Sequence, residues 1–177
     1  MRRAILVNGI PASGKTGVSR AIADATGWPL MILDTVKEPF FDHLGTGDRA
    51  WNRSLGRASS QAIWSAVADW PDPVGVVVDA WFGFEPREIL EGHIARARIG
   101  ATVEVWCHAP AEMIVERYRA RLGSRHPGHP GAEYIPEIAP LAARAAPLGR
   151  GPVIGVDTTL PVDGPALARR VMEAFGG

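Results

Sequence analysis

Residues 9–16 read Gly9-Ile10-Pro11-Ala12-Ser13-Gly14-Lys15-Thr16, and this stretch determines how the rest of the chain is interpreted. It fits the pattern G-x-x-x-x-G-K-[ST], in which glycines let the backbone curl until successive N–H groups point at one phosphate. The apolar run Ala4–Val7 precedes it, and a helical pattern with Val18 and Ile22 on one face follows. Because a helix start adds positive charge to such a loop, the stretch predicts a nucleoside triphosphate site.

Two side chains of this stretch have the chemistry that bound phosphates require. Lys15 extends from the predicted helix start toward the β- and γ-phosphates, and the hydroxyl of Thr16 ligates Mg²⁺. The expected nucleotide-binding residues are Gly9, Pro11, Ala12, Ser13, Gly14, Lys15 and Thr16.

Four further short apolar runs follow the first one, and helical patterns separate them. They are Leu30–Leu33, Val74–Val78, Thr102–Cys107 and Val153–Val156. Continuous apolar runs are typical of strands buried on both faces of a parallel sheet. The 177 residues are therefore expected to form one α/β domain, 1–177, as a three-layer sandwich around a five-stranded, mainly parallel sheet.

Glycine and proline set the expected helix boundaries. The sequence predicts a short helix over Lys37–Leu44 with Pro39 in its first turn, and a long one over Asp48–Trp70. A later helix, which contains Ile89 and Ala97, is expected to be closed by Gly100, and Ile135–Leu148 is expected to be a broken helix.

Polar residues follow the predicted strands, at the edge where parallel sheets bind their ligands. The second strand is expected to end in Asp34, the third in Asp79, the fourth in His108 and the fifth in Asp157. Aspartate is also a common helix cap, so each of these positions has an alternative structural explanation.

Taken together, the phosphate-binding loop at 9–16, the segment Asp34–Lys37 and the arginine-rich segment near 117–125 resemble P-loop kinases of the nucleoside-monophosphate-kinase-like fold. The pattern is most similar to chloramphenicol phosphotransferase-like, polynucleotide-kinase-like and zeta-toxin-like kinases. The resemblance implies that ATP and Mg²⁺ are the cofactors.

The resemblance also implies roles for Asp34 and Lys37. In those families an acidic residue after the second strand is the general base for the acceptor hydroxyl, and Asp34 occupies that position. A basic residue three positions later steadies the transferred phosphoryl, and Lys37 stands there. The alternative is an aspartate at a helix start with a surface lysine.

Related kinases close a lid over the phosphates, and residues 117–131 are the expected lid segment. It contains no acidic residue, and a cation cluster in a neutral chain favours a polyanion. Of its arginines, Arg121 and Arg125 are the predicted phosphate contacts, although cations also favour helix ends without any ligand. His126 and His129 are expected to contact substrate or phosphate, because two histidines without a third ligand are weak evidence for zinc.

The third strand and Asp79 resemble a Walker B pattern, which implies that Asp79 holds Mg²⁺ through water or touches the acceptor. Asp34 is the other candidate for that water-mediated role. Trp81, Phe82 and Phe84 follow Asp79 and are expected either to line the acceptor pocket or to pack the lid helices. On the helix after the second strand, Arg53 and Arg57 are further acceptor candidates.

The composition of the chain limits the kinds of binding partner that can be expected. Lys+Arg and Asp+Glu are both 19, so no global positive field is available for nucleic acid or an anionic membrane. No apolar run is long enough for a membrane span or a signal-peptide core, and the single cysteine, Cys107, fits a reducing cytoplasm.

The sequence thus predicts an ATP- and Mg²⁺-dependent kinase that phosphorylates a hydroxyl of a small molecule such as a sugar, metabolite or antibiotic. The alternatives are a nucleoside monophosphate kinase and a non-catalytic ATP-binding module. A GTPase is disfavoured because the chain has no N-K-x-D segment, and a nucleic-acid kinase is disfavoured by the neutral charge. The acceptor and the oligomeric state stay open.

Overall fold

The computed structural model describes residues 1–176, in which strands and helices alternate. The strands are β1 (Arg2–Asn8), β2 (Leu30–Ile32), β3 (Val76–Asp79), β4 (Ile99–His108) and β5 (Val153–Asp157). The helices are α1 (Lys15–Thr26), α2 (Leu33–Leu44), α3 (Arg49–Ala68), α4 (Arg87–Arg96), α5 (Ala111–Ala120), α6 (Ile135–Arg144) and α7 (Gly164–Ala174). Phe82–Phe84 and Ala132–Tyr134 form short 3₁₀ turns.

The five strands form one parallel sheet in the order β2-β3-β1-β4-β5. This confirms the predicted α/β class and strand number. β1 lies at the centre, where Ile5 pairs with Val77 of β3 on one side and with Val103 of β4 on the other. The chain reverses its winding direction at β1, so a crevice opens at the carboxyl end of this strand.

The sheet buries both of its faces. Ala4 and Leu6 of β1 point into a core that α3 and α4 cover, with Trp64 only 1% exposed. Ile5 and Val7 point into the opposite core, which α1 and α7 cover. This alternation explains why β1 is a continuous apolar run and produces the expected three layers.

A third apolar cluster fastens the loop after β1 to α5 and α6. Ile10 and Ala12 pack there against Ile114, Tyr118 and Ile138. The helices that lead into and out of residues 117–131 therefore rest directly on the predicted phosphate-binding loop.

Several element boundaries differ from the predicted ones. β2 ends at Ile32, and Leu33 already begins α2, so Asp34 lies in the first turn of a helix and does not end a strand. Pro39 lies inside that helix. The helix α4 ends at Arg96, and Gly100 belongs to β4, so the predicted closure by Gly100 is wrong.

The segment expected to be a broken helix forms the helix α6, followed by a loop. Pro136 occupies its first turn, where the missing N–H has no intrahelical partner in any case, and Pro140 lies inside the helix. No helix within residues 1–176 is both long and apolar enough to cross a membrane.

Candidate active site

The loop after β1 is curled as a phosphate cradle requires. Gly14 has φ 85° and Ala12 has φ 70°, and the second value is unusual for a residue with a side chain. A Cβ on Gly9 would lie 2.7 Å from the carbonyl oxygen of Cys107, so the close approach of β4 excludes any larger residue. Ser13 N donates to Ile10 O at 3.1 Å and closes the turn. Backbone held in a sparsely populated region at a helix start indicates a functional loop.

A buried polar pair that the sequence analysis missed anchors this cradle. Asn8 Nδ2 donates to Glu104 Oε1 at 2.8 Å, and both residues are at most 1% exposed. Asn8 Oδ1 accepts from the backbone N–H groups of Gly9 and Phe82. The Glu104 carboxylate accepts from the backbone of Leu148 and Gly149. The pair therefore joins the loops after β1 and β3 to the loop before β5; the signal in the sequence was one acid inside an apolar strand.

Asp79 lies beside the start of α1, as a metal-supporting carboxylate would. Its Oδ2 accepts from Ser19 Oγ at 3.0 Å, and the hydroxyl of Thr16 is close enough to lower its pKa. Burial raises the pKa of Asp79, although Lys15 and the two hydroxyls counteract part of that rise. Hydroxyl and carboxylate oxygens are the donors that Mg²⁺ prefers, so Thr16 and Asp79 fit the ion that the phosphate-binding loop implies.

The crevice at the carboxyl end of β1 opens into a cleft that Lys15, Thr16 and Asp79 line. Asp34 faces this cleft from the first turn of α2. Arg125 Nη2 lies 3.3 Å from Asp34 Oδ2, and the Asp34 side chain is 49% exposed. Desolvation raises the pKa of this carboxyl, but His129, Arg125 and the two lysines of the chain together hold it below its usual value. Asp34 is therefore ionised at neutral pH and has a lone pair available to accept a proton.

Lys37 is a buried cation of the cleft and not a surface lysine. It is 7% exposed, its Nζ donates to Asn52 Oδ1 at 2.7 Å, and the ammonium lies 5.2 Å from the centre of the Phe41 ring. Burial lowers the pKa of Lys37 to about 8, against the opposing effect of Asp34. Lys37 is thus close to its titration range at neutral pH.

The arginines of the lid segment (residues 117–131) have different roles. Arg121 lines the cleft with its Nε and Nη2 buried and without a hydrogen-bond partner among residues 1–176. Unpaired buried guanidinium nitrogens require an anion, so Arg121 fits a phosphate ligand. Arg117 instead donates to Thr158 Oγ1 and O at 3.0 and 2.7 Å, and Thr158 Oγ1 donates to Ser13 O. Arg117 therefore ties α5 to the cradle.

The two histidines of the lid segment also differ in their partners and in their position relative to the cleft. His129 lines the cleft, is 2% exposed at its side chain and pairs with Glu38 Oε1 at 3.0 Å. His126 pairs with Asp42 at 3.0 Å, stacks on Phe41 and does not line the cleft. The expectation that His126 contacts substrate is therefore corrected: it fastens the lid to α2. No group of three potential metal ligands occurs in residues 1–176.

The whole cleft has a cavity of about 350 Å³, and its acceptor side lies between α3, the loop after β3 and α6. Trp81 and Phe84 line it, whereas Phe82 is 6% exposed and packs in the core against α3 and α4. The expected role of Phe82 in the pocket is thus wrong, because the 3₁₀ turn points its ring inward. Arg53 and Arg57, the two arginines predicted on the acceptor side, also line the cavity.

Positive charge dominates this cleft in a chain of zero net charge. Its eight cationic residues are Lys15, Lys37, Arg49, Arg53, Arg57, Arg121, Arg125 and Arg144. Its carboxylates are Asp34, Asp79 and Glu137. Arg49 and Arg144, which the sequence analysis did not single out, come from the start of α3 and the end of α6.

Comparison with known proteins gives the class. No protein-family model and no curated protein sequence matches the chain. A solved structure from Chloroflexus aurantiacus J-10-fl, provisionally described as a kinase, is 30% identical and covers 98% of both chains with a TM-score of 0.81. The chain belongs with this protein to the P-loop kinases.

More distant structures share the fold. A gluconokinase from Sinorhizobium meliloti 1021 is 22% identical, with a TM-score of 0.60 over 98% of this chain and 91% of its own. A shikimate kinase from Acinetobacter baumannii, in complex with shikimate, is 14% identical, with a TM-score of 0.56 over 97% and 90%. These similarities show the shared fold alone; the narrower resemblance to chloramphenicol phosphotransferase and polynucleotide kinase stays an expectation.

The place of Asp79 predicts a metal phenotype. Asp79→Asn removes a charge that supports Mg²⁺ beside Thr16, so the Mg²⁺ concentration for half-maximal rate should rise about 10- to 100-fold. Titration of the ATP-dependent rate with Mg²⁺ measures this. The exposed Asp69→Asn at the end of α3 is the matched control. An unchanged Mg²⁺ requirement with a large loss of kcat would instead make Asp79 the base.

Proposed function

We propose that the protein transfers the γ-phosphoryl group of ATP to a hydroxyl of a small molecule. The observation that carries this proposal is the convergence of Lys15, Asp34, Lys37 and Arg121 on one cleft beside the curled loop. An ATP-binding module without catalysis would require neither a carboxylate nor an unpaired arginine opposite that loop.

The reaction assigns one task to each side chain. Asp34 takes the proton of the acceptor hydroxyl while the hydroxyl oxygen forms a bond to the γ-phosphorus. The bond from that phosphorus to the bridging oxygen of ADP breaks. Lys15, Lys37 and Arg121 neutralise the charge on the transferred group. Thr16, and Asp79 through water, would hold Mg²⁺, which would neutralise charge on the phosphates.

Arg125 acts on Asp34, the proposed general base, as well as on the phosphates. Its ion pair with Asp34 orients the carboxylate and, through its charge, keeps it ionised. Lid closure brings this arginine and Arg121 to the phosphates from the side opposite the loop, which excludes water from the reacting centre. Transfer to an acceptor is thereby favoured over hydrolysis.

The acceptor we propose is anionic as well as hydroxyl-bearing. Arg53, Arg57 and Arg144 line its side of the cleft and form no ion pair with any residue in 1–176. Arginines without partners in a cavity attract carboxylates or phosphates, and the nearby Trp81 and Phe84 suit a ring. A sugar acid or a hydroxylated ring carboxylate has both features.

The same arginines favour the second candidate, a nucleoside monophosphate kinase, because they would hold the acceptor phosphate. A panel of sugar acids, hydroxylated ring carboxylates, neutral sugars and nucleoside monophosphates, incubated with MgATP and analysed by mass spectrometry, separates the two. Phosphorylated hydroxy acids support the proposal, and a nucleoside diphosphate product supports the alternative. No phosphorylated product, with slow release of inorganic phosphate, would favour the ATP-binding module.

Asp34→Asn tests the base. The substitution keeps the size of the side chain but removes its negative charge and basic lone pair, so kcat should fall about 10²- to 10⁴-fold. The affinity for ATP, measured by calorimetry, should stay nearly unchanged because the loop at 9–16 holds the phosphates. Asp24→Asn on the exposed face of α1 is the control. Turnover within a few-fold of wild type would remove Asp34 from the chemistry.

Arg57→Gln tests the acceptor's charge. Losing a charge-assisted hydrogen bond should raise the KM for an anionic acceptor about 10- to 100-fold and leave the KM for ATP unchanged. Steady-state kinetics on the best acceptor of the panel measure both constants, with the exposed Arg20→Gln as control. Equal KM values for wild type and Arg57→Gln would place the acceptor's anion elsewhere.

A further inference from the structure

Asn52, near the start of α3, joins the lid to the cleft through both atoms of its amide. Its Oδ1 accepts a hydrogen bond from Lys37 Nζ at 2.7 Å, and its Nδ2 donates to the backbone carbonyl of Gly128. These partners determine the orientation of the amide, because an ammonium only donates and a carbonyl only accepts. Asn52 is therefore a direct bridge between α2 and the lid segment.

At the lid end of the bridge, Gly128 packs tightly against α2. Gly128 lies against the Phe41 ring so closely that a Cβ would overlap it. The His126 ring stacks on Phe41 and the His129 ring meets it edge-on, with centroids 5.3 and 5.4 Å from that of Phe41. The Gly128 carbonyl therefore reaches Asn52 only while the lid is seated on α2.

At the cleft end of the bridge, Asn52 binds the ammonium of Lys37, which has few other hydrogen-bond acceptors. Lys37 is 7% exposed, and Asn52 Oδ1 is its one hydrogen-bond acceptor among residues 1–176. The face of Phe41 lies 5.2 Å from its ammonium, and the charges of Asp34 and Arg125 also act on it. Because a buried ammonium needs a hydrogen-bond partner, the direction in which Lys37 points is set by Asn52.

We propose that Asn52 is a positioning residue that aims Lys37 at the transferred phosphoryl group and makes this aim depend on a closed lid. The inference rests on the proposed phosphoryl transfer. It predicts that Asn52 acts on the rate through Lys37 and not through the fold.

The pH dependence of the rate provides a readout that a purely structural role would not move. Asp34 of α2 and Arg125 and His129 of the lid face Lys37, while Asn52 is the neutral neighbour from α3. The pKa of Lys37, about 8, means that its charge is present below that pH and is lost above it. The kcat/KM for MgATP, which reports the groups of the free enzyme, should therefore fall as the pH rises through about 8.

Asn52→Asp keeps an acceptor for Lys37 but loses the donor to Gly128, and its negative charge beside the ammonium raises the pKa of Lys37, so the alkaline limb should move to higher pH. Lys37→Arg should remove this limb, because a guanidinium stays charged. The pH–rate profile is recorded with MgATP alone, with water as the acceptor, so it does not depend on the identity of the small molecule.

A double-mutant cycle tests the coupling. In MgATP hydrolysis Asn52→Leu should lower kcat about 10- to 100-fold with the KM for ATP unchanged, and Lys37→Met should do the same. The double variant should be no slower than Lys37→Met, because Asn52 then has no cation to position. The exposed Ser54→Ala on the same helix is the control and should keep the wild-type rate.

A second measurement needs no turnover. The chain has two lysines, Lys15 and Lys37, so pulse labelling with an amine reagent across pH, read by mass spectrometry, reports each pKa separately. The Lys37 midpoint should rise in the isosteric Asn52→Asp. Additive losses in the cycle, or an unmoved Lys37 midpoint, would overturn the inference. If wild type phosphorylates no acceptor while both tests succeed, the proposed function fails and the positioning role stands.

Discussion

The backbone curl between β1 and α1 is the constraint on which the rest of the structure depends. Ala12 and Gly14 adopt positive φ values there, and Gly9 tolerates no Cβ against β4. Such a loop keeps its shape only if its surroundings hold it. The Asn8–Glu104 pair holds its first residue, and Ile10 and Ala12 anchor it in the apolar cluster under α5 and α6.

Burial of charge is the second organising feature, and it acts differently on each group. It raises the pKa of Asp79 beside the start of α1 and lowers that of Lys37 to about 8, whereas surrounding cations keep Asp34 ionised. Burial also raises the pKa of the Cys107 thiol to about 12, so this sulfur is no nucleophile. A neutral chain thus concentrates its cations at one cleft, where a polyanion would neutralise them.

Local patterns explain which features could be predicted from the sequence. The glycine spacing of 9–16 and the apolar run of β1 report local geometry, so the cradle and the central strand were predictable. The bridge at Asn52 and the anchor at Glu104 depend on residues 76 and 96 positions apart, which no local pattern reveals. Of the three aromatic residues expected at the pocket, Phe82 packs in the core instead, because a 3₁₀ turn, and not alternation, decides which ring faces the cavity.

A crystal structure with Mg²⁺ and a non-hydrolysable ATP analogue tests the central claim most directly. The account predicts that the triphosphate lies in the curl at 9–16, with its γ-phosphate bonded to Lys15 and to the buried Nε and Nη2 of Arg121, which lack partners within residues 1–176. Mg²⁺ should bind beside Thr16, with Asp34 facing the γ-phosphorus across the acceptor cavity. A triphosphate bound outside this loop, or an Arg121 still without a phosphate partner, would contradict it.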